Sequence, residues 1–155
     1  MITIRKAIQK DAKGLFNLIK ELAKHENQQQ YLKTDLDQIT ESAFSNGQPP
    51  KFEAIVAEHK GVLIGYVTYM WNYSIWNGST YMAIDDLFVC NQFRGKSVGQ
   101  KLMQYAKDVC TSNNIEHIKW EVESNNEKAI RFYKKLGADI YNKSIVKWKI
   151  TRNTE

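Results

Sequence analysis

Hydrophobic and polar positions change their period several times along the chain, and each period predicts a different element. Residues 2–7 alternate apolar and polar positions, as a strand does. Apolar residues at helical spacing follow Asp11 and predict a helix to about His25. A shorter helix is predicted over 35–44, and Pro49 lies too close behind it for the helix to continue. The first part of the chain is therefore expected to fold as strand, helix, helix.

The middle of the chain is rich in β-branched and aromatic residues. Two such runs cover 52–58 and 62–71, and the short link between them contains Gly61, which predicts a β-hairpin. A third run covers 80–89. Three consecutive antiparallel strands are expected here.

The last third alternates between the two periods again. It predicts a helix over 98–110, a strand over 115–123 and a helix over 126–136, followed by two short strands or a hairpin over 138–151. The fold class predicted from this order is mixed α/β, with a central, mostly antiparallel sheet and about four helices.

Length and composition predict the number of domains and the cellular compartment. The chain has 155 residues, of which 43% are hydrophobic and 25% are charged, and this is enough for one core and short for two. A single domain over 1–155 is therefore predicted. No apolar run reaches the roughly 20 residues of a membrane helix, and the first residues lack the apolar core of a signal peptide. A cytoplasmic protein without a membrane partner is expected.

Cysteine, histidine and charge narrow the candidate chemistry. Cys90 and Cys110 lack metal-ligand spacing and the three histidines are scattered, so no metal site is predicted. The net charge is +5, but the lysines are spread over every segment. A solvated basic surface or an anionic cofactor explains this charge, and no nucleic acid is expected as a partner.

The densest candidate chemistry lies in residues 85–100. An apolar strand end is followed by a short loop with two glycines and two cations, and then by a helix start. This order brings together unpaired backbone N–H groups, the positive end of a helix dipole and two basic side chains. This stretch therefore predicts a cradle for a phosphorylated cofactor.

Two motifs carry a resemblance to a known family. The run RGKSVG, from Arg94 to Gly99, lies between a predicted strand and a predicted helix, and the run from Asn126 to Ala138 follows the next strand. Together they resemble the patterns R/Q-x-x-G-x-G/A and N-x-x-A-x-x-F-Y-x-x-x-G-F/A of the GNAT family of N-acetyltransferases. The resemblance implies the GNAT fold, with a splayed sheet of six to seven strands. One position departs from the pattern: Ser97 replaces a glycine, so a glycine-only backbone conformation is not expected there.

The resemblance implies acetyl-CoA as the cosubstrate and coenzyme A as a product. The pyrophosphate would lie on backbone N–H groups of the loop and of the helix that the loop opens, and the pantetheine arm would pair with the strand before the loop. The residues implicated in cofactor binding are Leu87, Phe88, Val89, Arg94, Gly95, Lys96, Ser97, Val98, Gly99, Gln100, Asn126, Ala129 and Tyr133. Leu87 and Val89 could instead be core residues. Arg94 and Lys96 could instead be solvated side chains without a role in binding.

The resemblance also implies which side chains carry the chemistry. The Tyr133 phenol would protonate the leaving thiolate, because a phenol with a pKa of about 10 stays protonated at neutral pH. Packing in the core is the alternative for Tyr133. Asp85 would take the proton of the attacking amine, through water, or attract a cationic substrate, whereas Asp86 is expected to pair with a cation or cap a loop. Backbone N–H groups near 87–89 would stabilise the oxyanion. Direct attack in a ternary complex is expected, without Cys90 as a nucleophile.

Residues 19–26 and 71–89 look most like the diamine (spermidine/spermine and thialysine) branch of the family. In that branch acidic residues at the end of the first helix and on the central strand bind the cationic acceptor. They map to Glu26 and Asp85, with His25 beside Glu26. A further acid of that branch is missing, since its stretch contains Lys143 instead. The expected acceptor is a small-molecule primary amine, diamine, polyamine or amino-acid-like, and relatives of the branch suggest a homodimer.

Other interpretations stay open. An aromatic group could stack on a cation or pack at a subunit interface, and it comprises Trp71, Tyr73, Trp76 and Tyr81. The acceptor could instead be a protein or peptide amine, or the chain could be a non-catalytic acyl-CoA-binding regulatory module. A ribosome-associated or other nucleic-acid-binding protein would bind RNA with a steep salt dependence. Against that last function, the aromatic residues do not interleave with basic ones in an RNA-binding motif.

Overall fold

The computed structural model describes residues 1–152. It divides into two compact units, Met1–Glu121 and a second unit that begins at Val122. The prediction of a single domain over 1–155 stays a prediction. Within residues 1–152 no helix has the length and apolar character needed to cross a membrane. In the same residues no three His, Cys, Asp or Glu side chains are grouped to hold a metal ion.

The first unit contains three α-helices. They are α1 (Ala12–His25), α2 (Leu36–Phe44) and α3 (Val98–Ser112). The predicted helices over 11–25, 35–44 and 98–110 are confirmed to within about two residues at each end. Asp35 fixes the start of α2, because its carboxylate accepts a 2.8 Å hydrogen bond from the backbone N–H of Gln38.

The same unit holds one five-stranded sheet. Its strands are β1 (Ile2–Lys6), β2 (Glu53–His59), β3 (Val62–Ser74), β4 (Ser79–Val89) and β5 (Ile118–Lys119). They lie in the order β1-β2-β3-β4-β5, with the first four antiparallel and β5 parallel to β4. The predicted antiparallel run through the middle of the chain is therefore confirmed.

The predicted strand count is wrong for the residues described: the sheet has five strands, not six or seven. The strand expected over 115–123 is reduced to two residues, and residues 138–152 form no strand. Apolar residues of the tail stay in solvent, with Ile145 72% and Trp148 86% exposed. Alternating apolar and polar residues indicate which face of a strand would be buried. A strand also needs the edge of a neighbouring strand to pair with, and the period of the sequence does not reveal that edge.

The core of the first unit lies on both faces of the sheet. On one face, α1 and α2 cover Tyr66 and Phe88, and the buried residues of this cluster include Leu15, Leu18 and Ile39. On the other face, α3 buries Leu102, Met103 and Ala106. The ends of β3 and β4 that carry Tyr66 and Phe88 are thus held between two helical layers.

The second unit contains α4 (Glu127–Lys135), which confirms the helix predicted over 126–136. Asn126 caps it, because its side-chain oxygen accepts a 3.1 Å hydrogen bond from the backbone N–H of Ala129. Acidic Glu127 in the first turn and basic Lys134 and Lys135 in the last turn suit the helix dipole.

Candidate active site

The loop before α3 has the backbone shape of an anion cradle. Gly95 has φ +72° and Ser97 has φ +60° with ψ 16°, so two left-handed residues lie two positions apart. The first N–H groups of a helix lack intrahelical partners, and the first i to i−4 bond of α3 joins the Lys101 N–H to the Ser97 carbonyl. These N–H groups and the helix dipole suit a diphosphate.

Ser97 takes a left-handed backbone conformation at the position where the family pattern has a glycine. A glycine-only conformation was not expected there, and the left-handed conformation of Ser97, the N-cap of α3, is one that L-residues also adopt. Its side chain makes no capping hydrogen bond there. For an L-residue this conformation costs roughly 1–2 kcal/mol, so the cradle keeps its shape at the expense of local strain.

Arg94 ties the cradle to the end of β4. Its Nε donates a 2.8 Å hydrogen bond to the Val89 carbonyl, and its Nη1 lies 3.3 Å from Nε2 of His25. The guanidinium carbon also lies 5.6 Å from the centre of the Phe88 ring. Lys96 is exposed, with its Nζ 5.3 Å from the centre of the Phe93 ring. The two cations therefore differ: Arg94 is part of the framework and Lys96 is a solvated charge.

The edge of β4 is open beside this loop. Strand β5 pairs with β4 only at Met82 and Ala83, so from Ile84 to Val89 that edge of β4 has no strand partner within residues 1–152. Unpaired N–H and C=O groups on a sheet edge can pair with an extended ligand. Among the three strand residues expected to contact the cofactor, Phe88 is 5% exposed and belongs to the core, whereas Leu87 and Val89 are half-buried.

A β-bulge in β4 separates the two neighbouring aspartates. Thr68 pairs with Asp86 and Tyr69 pairs with Ile84, so Asp85 is the extra residue on β4. The backbone N–H of Asp86 donates a 3.2 Å hydrogen bond to the hydroxyl oxygen of Thr68. Asp85 is exposed and Asp86 is half-buried. In this register Asp86 and Phe88 lie on the same face of β4, and Asp85 has no cross-strand partner.

Burial and charge perturb the groups around the bulge. Burial, together with the charges of Asp85 and Glu26, raises the pKa of Asp86 to about 6. Burial also raises the pKa of Tyr66, whose hydroxyl is fully buried, and the charges of Asp86 and Asp85 add to that increase. Within residues 1–152 Asp86 forms no ion pair, so of the two roles expected for it, pairing with a cation or capping a loop, the first is not observed. Glu26, which follows α1, lies close enough to act on both groups.

Sequence reasoning did not select Tyr66 as a site residue. The only signal was a hydroxyl within the apolar run over 62–71, and a tyrosine there reads equally well as core. Its relation to the aspartates depends on the pairing of Tyr66 with Phe88 across β3 and β4. That register is a long-range property of the fold.

Cys90 follows β4 directly and does not have the character of a nucleophile. Its Sγ lies 3.6 Å from a carboxylate oxygen of Glu21, and burial, together with that carboxylate, raises its pKa to about 11. A thiol with such a pKa is almost fully protonated at neutral pH. Cys90 is therefore a poor thiolate nucleophile at neutral pH, and the expectation that no covalent intermediate forms on it stays a prediction.

Three of the predicted site residues lie in the second unit. Asn126 uses its side-chain oxygen to cap α4, and Ala129 and Tyr133 are half-buried along that helix. The Tyr133 ring lies 5.4 Å from the Phe132 ring, measured between centroids. The small side chain of Ala129 and the phenol of Tyr133 thus follow the cap within two turns of one helix.

Comparison with known proteins shows the family to which the chain belongs. The model of the acetyltransferase (GNAT) family matches residues 13–138, so the chain belongs to that family. It is an acetyl-CoA-dependent N-acetyltransferase. The thialysine N-epsilon-acetyltransferase of Mus musculus is 29% identical over 143 residues, covering 87% of this chain and 82% of the mouse protein.

Two solved structures share the fold. An aminoglycoside acetyltransferase from an uncultured soil metagenomic sample, in complex with sisomicin, has a TM-score of 0.80 and 14% identity, with 97% of each chain covered. AAC(6')-Iy, in complex with the bisubstrate analog CoA-S-monomethyl-acetylneamine, has a TM-score of 0.74 and 18% identity, with 97% of this chain and 99% of that chain covered. At these identities the likeness shows the fold alone.

Proposed function

We propose that the enzyme transfers the acetyl group of acetyl-CoA to a primary amine of a small molecule, by direct attack in a ternary complex. The observation that carries this proposal is the continuity of β4 with the cradle. The open edge over 84–89 suits an extended pantetheine arm, and the loop that begins at Arg94 suits the diphosphate. The acceptor side is acidic, since Glu26, Asp85 and Asp86 lie near one another and favour a cationic amine.

Roles for individual side chains follow from the family pattern and from this placement. Backbone N–H groups near 87–89 are the proposed oxyanion donors, and Tyr133 is the proposed acid for the leaving thiolate. Asp85 is exposed in the bulge and is proposed to attract the cationic acceptor. His25 contacts Arg94, so its proposed part in acceptor binding includes positioning that arginine.

An acceptor screen tests the activity. Release of the coenzyme A thiol from acetyl-CoA would be followed with diamines, polyamines, lysine and thialysine, aminoglycosides and peptide N-termini. We expect turnover with at least one small primary amine and a lower rate with peptides. No turnover above hydrolysis with any amine would favour a non-catalytic acyl-CoA-binding module, and a preference for peptides would favour a protein amine as the acceptor.

Tyr133→Phe tests the proposed acid. We expect kcat to fall by about 10²-fold or more, because proton transfer by a positioned group contributes on that order. Tyr141→Phe, which changes an exposed tyrosine of the same unit, is the matched control and should leave kcat unchanged. An undiminished rate in Tyr133→Phe would remove the acid role and leave the acetyl transfer itself standing.

The proposal includes a homodimer. The β3–β4 hairpin tip exposes large apolar side chains, with Tyr73 64%, Ile75 86% and Trp76 98% exposed. Apolar side chains clustered at one tip often mark an interaction surface. Sedimentation velocity of the wild type should show a dimer, and Trp76→Asp should weaken it; a wild-type monomer across micromolar concentrations would contradict the dimer.

A further inference from the structure

The last two turns of α1 contact the segment that leads from β4 into the cradle. Glu21 and His25 lie one turn apart, so both side chains project from the same face of the helix. The Cys90 thiol donates to Oε2 of Glu21, with 3.6 Å between sulfur and oxygen. Nη1 of Arg94 lies 3.3 Å from Nε2 of His25. Two residues of one helix therefore contact both ends of residues 90–94.

The direction of the hydrogen bond between Arg94 and His25 follows from the chemistry of arginine. A guanidinium group carries five N–H donors and no acceptor, so the histidine nitrogen must accept. Nε2 of His25 is then unprotonated, and the ring hydrogen lies on Nδ1. Free neutral histidine favours the other tautomer, with its hydrogen on Nε2. The contact with Arg94 therefore selects the less common tautomer of His25.

The core of the first unit fixes where the two partners lie. Leu15 and Leu18 of α1 pack in the same buried cluster as Phe88. The Arg94 guanidinium carbon lies 5.6 Å from the centre of that Phe88 ring, and Nε donates to the Val89 carbonyl at 2.8 Å. Within residues 1–152 the bonds from Nε and Nη1 use two of the five N–H donors, which leaves three. The guanidinium is thus held between the end of β4 and the end of α1, with donors to spare for an anion.

We propose, on the basis of the cofactor site proposed above, that Glu21 and His25 are positioning residues for acetyl-CoA. They act through Cys90 and Arg94, because their hydrogen bonds hold residues 90–94 against α1. A loop that is ordered before the diphosphate binds has less conformational freedom to lose on binding. This role is separate from the part in acceptor binding proposed for His25, since it predicts an effect on the affinity for the cofactor.

Isothermal titration calorimetry with coenzyme A tests the role of His25. His25→Ala should raise the dissociation constant by about three- to tenfold, as the loss of one hydrogen bond does. His25→Gln should restore most of the affinity, because the glutamine oxygen can accept from Arg94 in place of Nε2. His117→Ala changes an exposed histidine between α3 and β5 and is the matched control without effect. Equal losses in His25→Ala and His25→Gln would overturn the hydrogen-bond role.

A double-mutant cycle tests whether His25 acts through Arg94. If it does, His25→Ala should cause no further loss of coenzyme A affinity when it is added to Arg94→Ala. Two losses that add fully would show that His25 acts on the cofactor without Arg94, and they would overturn the proposal.

Glu21 provides a second comparison at the other end of the segment. Glu21→Leu should raise the dissociation constant for coenzyme A by roughly two- to threefold, a smaller change than at His25 because a thiol is a weak donor. Glu21→Gln should stay close to the wild type, since its oxygen still accepts from Cys90. A loss in Glu21→Gln as large as in Glu21→Leu would mean that the charge matters and the hydrogen bond does not.

The tautomer of His25 gives a measurement that needs no activity. Long-range ¹H–¹⁵N correlation spectra at alkaline pH distinguish a hydrogen on Nδ1 from one on Nε2. Without coenzyme A, His25 of the wild type should carry its hydrogen on Nδ1, and in Arg94→Ala it should carry it mostly on Nε2. An Nε2–H tautomer in the wild type, or no change in Arg94→Ala, would contradict the hydrogen bond.

Binding and turnover together separate this inference from the proposed function. If no amine is acetylated, but His25→Ala weakens coenzyme A binding and His25→Gln restores it, the proposed function fails and the positioning role stands. If amines are acetylated and His25→Ala binds coenzyme A as tightly as the wild type does, the positioning role fails and the acetyl transfer stands. In the active enzyme His25→Ala should raise KM for acetyl-CoA and leave kcat close to that of the wild type.

Discussion

The Nε atom of Arg94 donates a 2.8 Å hydrogen bond to the backbone carbonyl of Val89, the last residue of β4. One side chain thereby closes the turn between the open strand edge and the start of α3. The same guanidinium group lies 3.3 Å from His25, at the end of α1. The region proposed for the diphosphate and the end of α1 are therefore linked through one arginine.

Replacing Arg94 tests this link. Arg94→Ala should raise KM for acetyl-CoA by about tenfold, because it removes a positive charge and a hydrogen bond that orders the loop. Arg94→Lys should restore the charge but only part of the affinity, since lysine lacks the forked donors. Lys96→Ala is the matched control and should have a smaller effect that vanishes at high salt. Equal effects of Arg94→Ala and Lys96→Ala at all salt concentrations would contradict a framework role for Arg94.

Strain at Ser97 leads to a stability prediction. Ser97→Gly should raise the free energy of unfolding by about 0.5–1 kcal/mol, because relief of the left-handed strain outweighs the entropy that glycine adds to the unfolded chain. Urea midpoints would measure the change. Gly95→Ala should move the midpoint in the opposite direction, because alanine at φ +72° is strained. A Ser97→Gly midpoint below that of the wild type would contradict strain at this position.

The contact between β3 and β4 at Gly65 leaves no room for a side chain. A Cβ atom there would lie 2.8 Å from the Phe88 carbonyl oxygen, and backbone does not yield easily. Gly65→Ala should lower the free energy of unfolding by about 1–3 kcal/mol, as overpacking does. Gly14→Ala is the control, since its Cβ would meet only the flexible Leu63 side chain at 3.0 Å within a helix. Chemical denaturation should find Gly14→Ala close to the wild type.

An ion cluster joins β1, β2 and the segment before α1. Arg5 donates to both oxygens of Asp11 at 2.6 and 2.9 Å and to Glu58 at 2.6 Å. Asp11 is 6% exposed and also accepts a 2.8 Å hydrogen bond from the Ile8 N–H. The hydrogen bonds from Arg5 lower the pKa of Asp11 below its ordinary value of 3.8. The cluster holds the amino-terminal strand against the start of α1.

The lowered pKa of Asp11 determines how the stability of the protein changes as the pH falls. Its contribution to stability is fully present above the unfolded-state pKa of about 4 and is lost as the pH falls through the folded-state value. Asp11→Asn should therefore lower the free energy of unfolding by about 2 kcal/mol at pH 7, and the difference from wild type should shrink below pH 4. Denaturation at pH 3 to 7 measures it. A difference that grows toward low pH would contradict a lowered pKa.

The sequence by itself determined the local elements, and it gave the location proposed for the cofactor site. Helix periodicity and the caps at Asp35 and Asn126 act within a few residues, so α2 and α4 followed from pattern alone. The motif from Arg94 to Gly99 is contiguous, and its place between a strand and a helix was predictable for the same reason. The residue roles proposed for Tyr133 and Asp85 rest on the family pattern and stay predictions.

Tertiary structure alone decided the relations that depend on strand register. The bulge at Asp85, the approach of Tyr66 to Asp86 and the end of β5 pairing at Ala83 each depend on which residues of distant segments lie opposite one another. A register shift of one residue would exchange the buried and exposed faces of a strand. The alternating pattern of the sequence is the same in either register. For that reason the sequence placed two aspartates at the site, and only the fold distinguished the exposed Asp85 from the half-buried Asp86 beside Tyr66.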